Sequence, residues 1–478
     1  MKKLLIYTVL IFAAVSCTDE LTDLNENPKK PAQVSYQTLF SNAQLGLTDA
    51  VTSSNVNSNI FRLIVQHWTQ TTYLDETRYN LSTRNIPQNF WHALYRDVLQ
   101  DLHESKRLLQ ADQSVTDAAM KANELAMIEV MEVYTWSVLM LTFGDIPYTA
   151  ALDINNIRPV YVDDATVFND LITRLDAAIT SLDASSGGFE SADLIYGGNV
   201  ENWVRFANSL KLKLGMTIAD ADPAKAATIV TAAAPNVFQS NEDNAVFEYS
   251  TIPPNTNPIW VDLVQSKRQD FVAANRIVNV MDSLSDPRID NFFTIDDDVS
   301  DGDYSGGRPG FGNSYFTFSR VDTAITEENF PGLLLDYSEV EFYLAEAAAR
   351  GFAVGGTAAE HYNNAITASI LYWGGTEEEA AAYVAQPTVN YLTAGGDFRE
   401  KIGTQKWLAL YNRGFDAWTE WRRLDYPKLT KANRAVTDIP LRFTYPVSEQ
   451  NLNTPNYNQA ASAIGSDVVT TKLFWDKL

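Results

Sequence analysis

Few residues in this sequence are suited to metal or nucleophilic chemistry. The chain has four histidines, His67, His92, His103 and His361, and one cysteine, Cys17. His92 and His103 share a predicted helix, but they lie nearly three turns apart, whereas two metal ligands on one helix are about four positions apart. No H-E-x-x-H segment and no G-x-S-x-G turn occurs, and these are the patterns of zinc and serine hydrolases. The sequence therefore predicts neither a metal site nor a cofactor.

Carboxylates are abundant and leave one catalytic alternative open. With 60 Asp and Glu residues, a glycosidase pair about 5–9 Å apart is compatible with the sequence. An acidic, tryptophan-rich helical chain also fits a surface glycoside hydrolase of the all-helical toroid type. No acidic residue lies in an aromatic-lined turn of recognisable form, so binding without catalysis is the favoured interpretation.

The least regular stretch is DDDVSDGDYSGGRPGFG, residues 296–312. A flexible surface loop, a calcium loop and a ligand lid are the three interpretations of it. An EF-hand loop needs glycine at its sixth position, but here the sixth residue is Asp301 and Gly302 follows it. The phosphate-binding patterns G-x-G-x-x-G and G-x-x-x-x-G-K-[ST] do not occur in this stretch, so nucleotide binding is not predicted.

Aromatic and arginine side chains in irregular segments are the best candidates for a ligand site. Aromatic rings stack on the C–H faces of sugars, and arginine donates directional hydrogen bonds to hydroxyls. Binding residues concentrate in loops, so aromatic residues at helical spacing are assigned to the core instead. The candidates selected by this rule are Trp68, Tyr73, Arg78, Tyr79, Trp260, Arg268, Arg308 and Tyr315.

The overall charge restricts the partners. The formal net charge is -24 and the pI is about 4.5. Such a surface repels phosphate backbones and anionic headgroups. Nucleic acid is therefore not an expected partner.

The N-terminus has the pattern of a secreted lipoprotein. Lys2 and Lys3 precede the apolar run LLIYTVLIFAAV, which is shorter than the roughly 20 residues needed to span a bilayer. The segment Ala14–Cys17 resembles a bacterial lipobox, which implies cleavage before Cys17 and its acylation. The acidic residues that follow it resemble the signal that sends Bacteroidetes lipoproteins to the cell surface. An ordinary secretory signal is the alternative.

The lipobox interpretation divides the chain into three parts. We predict a signal peptide at 1–16, a lipid anchor and tether at 17–35 and one domain at 36–478.

Helical periodicity dominates the predicted domain. The predicted helices are Ile60–Thr71, Phe90–Leu109, Ala118–Phe143, Thr166–Leu182, Asn199–Ile218, Phe271–Leu284, Leu333–Arg350, Thr357–Trp373 and, within the stretch Gln405–Leu429, one that Tyr426–Pro427 stops. Ala118–Phe143 is apolar all round near its end, which predicts a buried core helix. In Gln405–Leu429, Gly414 lies within an aromatic stripe and predicts a close backbone approach. A short strand is predicted at Ala245–Tyr249.

Small and aromatic residues in two of these helices indicate how they pack. Ala345 and Ala348, followed by Ala358, Tyr362 and Ala365, resemble the code of a tetratricopeptide repeat. Residues of this size allow two antiparallel helices to approach closely. The earlier helix pairs lack the full code, so at most a degenerate repeat is predicted.

Several fragments together resemble the SusD/RagB nutrient-binding outer-membrane lipoproteins of Bacteroidetes. In chain order they are Asp23–Pro28, Thr142–Tyr148, Asn202–Trp203, Asp286–Arg288, Ser338–Phe342, Ala345–Gly351, Gln405–Trp407, Trp418–Arg423 and Tyr445–Pro446. The order of the fragments along the whole chain makes the resemblance specific.

The resemblance implies a mostly α fold, a single body with tetratricopeptide-like helix pairs, minor short strands and an irregular ligand face. It implies a cell-surface protein that captures oligosaccharide or peptide ligands without catalysis. It also implies that the protein is the lid of a SusC-like TonB-dependent transporter, and that it is held on the outer membrane by its lipid anchor. The family has no fixed motif for ligand residues, so the candidates above stay as selected. A protein-interaction scaffold is a further alternative.

Overall fold

A computed structural model describes residues 34–295 and 303–478 of the protein. The predicted signal peptide, Cys17 and nearly all of the predicted tether lie outside these residues. The calcium-loop interpretation also falls largely outside them, because it starts at residue 296. Within the described ranges the fold is mostly α, as predicted.

The N-terminal half is a set of long helices joined by loops. The helices are α1 Tyr36–Thr52, α2 Phe61–Ile64, α3 Ile86–His92, α4 Gln100–Ala111, α5 Ala118–Phe143, α6 Asp164–Ser181, α7 Val200–Thr217 and α8 Pro223–Ala233. A π-helical segment, Ala93–Leu99, joins α3 to α4, so the chain predicted as one helix is helical throughout. Asn199 caps α7, since its side chain accepts a hydrogen bond from the backbone N–H of Asn202.

Shorter helices alternate with irregular segments in the C-terminal half. They are α9 Pro258–Trp260, α10 Asn275–Leu284, α11 Ile289–Phe292, α12 Tyr337–Ala349, α13 Ala358–Tyr372, α14 Glu377–Ala385, α15 Phe398–Ala409, α16 Gly414–Leu424, α17 Val447–Leu452 and α18 Thr454–Ala463. The predicted pair of helices corresponds to α12 and α13, which pack against each other.

Strands are few and short in the described residues. They are β1 Trp68–Gln70, β2 Ile146–Pro147, β3 Tyr161–Val162, β4 Ala245–Phe247, β5 Phe271–Ala273 and β6 Gly332–Leu335. They form three antiparallel pairs: β1 with β5, β2 with β3, and β4 with β6. The strand predicted near residue 245 is confirmed as β4.

Helix α5 is the centre of the larger core. It is the one helix in the described residues that is long and apolar enough to cross a membrane, but 89% of its most apolar window is buried inside the protein. Helices α4 and α6 pack on it. This confirms the prediction of a core helix.

Four predicted helices are wrong in their extent. Phe271–Leu284 and Leu333–Arg350 begin as strands β5 and β6, so their helical parts start only at Asn275 and Tyr337. The segment predicted as Ile60–Thr71 is helical only over α2. Gln66 has a φ of 59°, which ends the helical path, and the chain continues as β1. The pairing partner of β1 is about 200 residues away, and such a contact leaves no local pattern in the sequence.

The segment predicted as one helix within Gln405–Leu429 is two helices, α15 and α16. Asn412 between them has a φ of 65°, and the guanidinium of Arg62 donates to its side-chain and backbone oxygens at 2.9 and 2.6 Å. The predicted close approach at Gly414 is confirmed, since a Cβ there would lie 2.6 Å from the backbone nitrogen of Arg62. Helix α2 therefore packs where the predicted helix is interrupted.

Candidate functional site

The candidate site is built on the β1–β5 pair and the irregular segments beside it in space, of which residues 71–79 follow β1 and residues 266–270 precede β5. Beyond the ladder, the backbone N–H of Thr71 donates to the carbonyl oxygen of Asp270 at 2.9 Å, and its hydroxyl donates to that of Gln269 at 2.6 Å. These bonds hold residues 71–73 beside residues 268–270. We call the exposed face formed by residues 71–79, 266–270 and 303–321 the loop surface.

Tyr73 and Arg268 lie together on this surface. The Tyr73 ring is 66% exposed, and the guanidinium carbon of Arg268 lies 5.8 Å from the centre of the ring. Arg268 is ion-paired with Asp270, and that hydrogen-bonded carboxylate raises the pKa of Arg268. The site therefore offers an exposed aromatic ring beside a group that is always cationic.

The segment that carries Arg308 is fixed by one asparagine. The side-chain amide of Asn313 donates to the carbonyl oxygens of Gln70 and Phe311, at 2.8 and 3.0 Å. Its oxygen accepts from the backbone N–H of Arg308 at 2.9 Å. The guanidinium of Arg78 donates to the carbonyl oxygen of Gly310 at 3.1 and 3.0 Å. The loop is thus ordered by polar bonds to the β1 region.

Exposed rings lie along this ordered segment. Arg308 is exposed, and its guanidinium carbon is 5.8 Å from the centre of the Phe311 ring. Tyr315 is half-buried and meets the Phe316 ring edge-on at 5.5 Å. Phe311 and Phe316 are 41% and 58% exposed. Neither was among the predicted residues, although the rule that selected Tyr315 applies to both.

Two of the predicted residues are buried and cannot present a ring to a ligand. Trp68 is 1% exposed because both faces of β1 are covered, and its indole N–H donates to the hydroxyl of Tyr411 at 3.0 Å. Tyr79 is also 1% exposed, and its hydroxyl accepts from the backbone N–H of Ala432. We therefore correct their role from ligand contact to support beneath the surface.

The remaining predicted residues differ in their contacts and in their burial. Arg78 is committed to Gly310, so it positions the loop. Arg268 also lines a groove of about 160 Å³ together with Arg84 and Asp262. Trp260 is half-buried at the end of α9 and does not line that groove. Tyr73, Arg268, Arg308 and Tyr315 are thus the predicted residues that the structure places on the loop surface.

The arrangement is suited to binding. Exposed rings beside arginines can stack on a flat apolar face and donate hydrogen bonds to the polar groups around it. The buried His67 is not available for acid–base chemistry, because burial lowers its pKa to about 3. The carboxyls whose pKa burial raises to about 6 or 7, Asp49, Glu124, Asp145 and Asp164, lie outside the loop surface.

Comparison with known proteins places the chain in a family. The model of the SusD-like family, described as starch-binding and associating with the outer membrane, matches residues 28–446. No curated protein matches the sequence. A chitin-binding SusD homolog from Flavobacterium johnsoniae is similar in structure, with a TM-score of 0.80 and 26% identity over 92% of this chain and 98% of that chain. A SusD homolog from Bacteroides uniformis has a TM-score of 0.79 and 25% identity over 92% and 99% of the two chains. The chain belongs to the SusD-like family.

Proposed function

We propose that the protein is a cell-surface lipoprotein that captures oligosaccharides on the loop surface and delivers them to a SusC-like TonB-dependent transporter, whose lid it forms. The observation that carries the proposal is the Tyr73–Arg268 pair beside the ordered segment with Arg308 and Phe311, in a chain whose family is described as starch-binding.

The chemistry of the surface fits sugars. Pyranose rings have a flat C–H face and equatorial hydroxyls, so they are complementary to a ring flanked by guanidinium donors. Because Asn313 and Arg78 hold the segment in place, little conformational entropy is lost on binding. The net charge of -24 favours neutral over acidic glycans.

Oligosaccharide is favoured over peptide by the relatives. One similar structure is a chitin-binding SusD homolog, and the family is described as starch-binding. Catalysis is not part of the proposal. On the loop surface Asp270 is ion-paired with Arg268, so its carboxylate is not free to act as the acid of a glycosidase.

The test of capture compares ligand binding by variants of the loop surface. Replacing both Tyr73 and Tyr315 by alanine is expected to weaken binding of a chitin tetrasaccharide or of maltotetraose at least tenfold, measured by titration calorimetry. Leu392→Ala is the control, since Leu392 is 80% exposed outside this surface. Unchanged affinity in the double variant, or release of reducing sugar from either glycan, would contradict the proposal.

The lid role has a separate test. The full chain, expressed in a Bacteroidetes host, is expected to co-purify with a β-barrel transporter from solubilised outer membrane. Cys17→Ser is expected to lose the acyl label and leave the membrane fraction, because the proposed anchor is attached to that sulfur. Recovery of the protein without any barrel protein would disprove the lid role and leave sugar capture intact.

A further inference from the structure

A second cleft lies next to the loop surface, at the end of its 303–321 segment, where Asp322 is part of the lining. It has a volume of about 310 Å³, and it lies between the end of α13 and the segment that leads into β6. Its main walls are Asn291, Asp322, Phe330, Tyr372 and Trp373. None of these residues is among the candidates selected from the sequence.

The aromatic wall is fixed from beneath. Trp373 is half-buried, and its ring centre lies 4.8 Å from that of Phe292 and 5.7 Å from that of Tyr411. The Tyr411 ring stacks on Phe292 at 4.0 Å, and the Tyr411 hydroxyl accepts a hydrogen bond from the indole N–H of Trp68. Trp68 therefore helps to hold the aromatic cluster whose outer member is Trp373.

A second ring extends this wall. The Phe330 ring is nearly parallel to that of Trp373, with 23° between their planes and 6.1 Å between their centres. Phe330 and Tyr372 are also half-buried. The cleft thus has an aromatic lining that is partly open to solvent and is held by the core.

Two polar side chains, Asn291 and Asp322, also line the cleft. The side-chain amide of Asn291 makes no hydrogen bond within the described residues, although its backbone N–H donates to the carbonyl oxygen of Arg288 at 3.0 Å. One carboxylate oxygen of Asp322 accepts from the backbone N–H of Ala324 at 2.9 Å. The cleft therefore presents an amide and a carboxylate group together with aromatic rings.

Gly374 lines the cleft beside Asn291. Its φ is 88°, a conformation that disfavours any residue with a side chain, and a Cβ there would lie 3.9 Å from the side-chain oxygen of Asn291, in ordinary van der Waals contact. The backbone conformation, and not lack of space, therefore favours glycine at this position.

We infer that this cleft is a second carbohydrate-binding subsite, which takes one or two neutral sugar residues; this inference rests on the proposed function. The volume is at the low end of the roughly 300–1,000 Å³ typical of small-molecule sites. The rings would take the C–H face of a sugar, the Asn291 amide would bind a hydroxyl or an acetamido oxygen, and Asp322 would accept from a hydroxyl. Two subsites on one chain would raise the affinity for a long glycan above that of either subsite alone.

Titration calorimetry with a chitin tetrasaccharide and with maltotetraose tests the inference on the purified full chain. At least one of the two glycans is expected to bind with a stoichiometry of two glycan molecules per protein chain. The loop-surface double variant Tyr73→Ala/Tyr315→Ala is expected to bind one glycan molecule per chain. Adding Asn291→Ala and Asp322→Asn to that variant is expected to abolish the remaining binding. Asn291→Ala alone is expected to weaken the second site at least fivefold.

The substitutions at Asn291 and Asp322 are chosen because they are expected to leave the fold unchanged. The Asn291 amide has no partner to lose, and Asn at position 322 keeps an oxygen that accepts from Ala324. Asn156→Ala, on the loop between β2 and β3, is the matched control. Unchanged melting temperatures verify the fold of each variant.

The outcomes separate the two proposals. Loss of all binding in the loop-surface variant, with no effect of Asn291→Ala, would overturn the second subsite and leave the proposed function standing. Full binding in the loop-surface variant, with loss on Asn291→Ala, would support the cleft and overturn the site assigned to the loop surface. If no glycan binds the unaltered protein, both proposals fail.

Discussion

At the residue scale, Trp418 shows how aromatic side chains support the fold. Its ring is fully buried in α16, its centre is 4.9 Å from that of Phe61, and its indole N–H donates to the carbonyl oxygen of Pro440 at 2.7 Å. The guanidinium carbon of Arg422 lies 3.4 Å from the centre of the ring, and Trp475 near the C-terminus faces the same guanidinium at 4.6 Å. One indole therefore connects α2, α16 and the C-terminal segment.

Trp418→Ala is expected to destabilise the protein by roughly 3–5 kcal/mol, the cost of truncating a large buried aromatic residue. The loss includes the hydrogen bond to Pro440 and the stacking with Arg422. Chemical unfolding measures it, and Leu392→Ala is the exposed control. A variant that kept its stability but lost ligand binding would show that this helix belongs to the ligand face.

The same scale shows the limits of selecting site residues from the sequence. Absence of helical periodicity identified Tyr73, Arg268, Arg308 and Tyr315, which the structure exposes or half-exposes. Trp68 was selected as well, although it lies within the predicted helix Ile60–Thr71, and the structure buries it because all three residues of β1 are buried. Trp373 was assigned to a helix, and only the tertiary structure reveals that this residue at the end of α13 borders a cleft.

At the element scale, a chain of buried ion pairs joins four helices. Lys213 of α7 pairs with Asp416 of α16 and, at 3.0 Å, with Glu339 of α12. The hydroxyl of Tyr343 donates to Glu339 at 2.8 Å or to Glu420 at 3.0 Å, which links the two carboxylates. The α12–α16 interface is therefore polar within an otherwise apolar core.

The chain of ion pairs continues from Glu420. Lys406 of α15 pairs with Glu420 at 2.7 Å, and Arg423 pairs with it at 2.6 Å. Arg423 also bonds Glu346 of α12 at 2.5 Å. All of these side chains are at most 4% exposed, so each depends on its partners for neutralisation.

The spacing of the charged residues is visible in the sequence, but it does not by itself predict a buried network of ion pairs. Glu339, Tyr343 and Glu346 follow the i, i+4, i+7 pattern of one face of α12, and Asp416, Glu420 and Arg423 follow it on α16. Polar residues at this spacing ordinarily indicate a solvated face. Only the pairing of the two helices shows that these faces are turned towards each other.

Glu420→Gln is expected to destabilise the protein by about 3–5 kcal/mol, because it leaves Lys406 and Arg423 buried with too little negative charge. Lys428→Ala is the control: its pair with Asp425 is exposed and is worth less than about 1 kcal/mol. Denaturant unfolding of both variants measures the contrast. Equal stability of the two variants would show that the buried network contributes no more than a surface pair.

At the scale of the whole molecule, the charge distribution sets the response to pH. Burial is the main cause that raises the pKa of Asp49 and Asp145 to about 6 and that of Glu124 and Asp164 to about 7. Between about pH 5 and 7 the folded protein therefore takes up protons that carboxyls of the unfolded chain, near pKa 4, do not. The free energy of unfolding should rise as the pH falls through this window.

Other groups modify the size of this effect. His361 acts in the same direction, because its bonded partner Glu341 raises its pKa and the resulting stability is lost as the pH rises. His67 acts against it, since burial lowers its pKa to about 3 and the unfolded chain alone takes up that proton below about pH 6.5. Carboxylates in ion pairs, such as Glu339 with a pKa lowered to about 2, are stabilising while they are charged. This contribution to the free energy of unfolding is lost only in stronger acid.

Four carboxyls have a raised pKa and one histidine has a strongly lowered pKa, so together these groups raise the free energy of unfolding as the pH falls from 8 to 5. The melting temperature is expected to be higher at pH 5 than at pH 8 and to fall again below about pH 4, where the ion pairs lose their charge. Relief of repulsion among the 24 excess negative charges acts in the same direction. Asp164→Asn separates the two contributions, because it removes one raised carboxyl while keeping an acceptor for the backbone N–H of Phe474. Calorimetry should show a smaller rise from pH 8 to pH 5 in this variant; an equal rise would show that the buried carboxyl of Asp164 does not contribute to the effect.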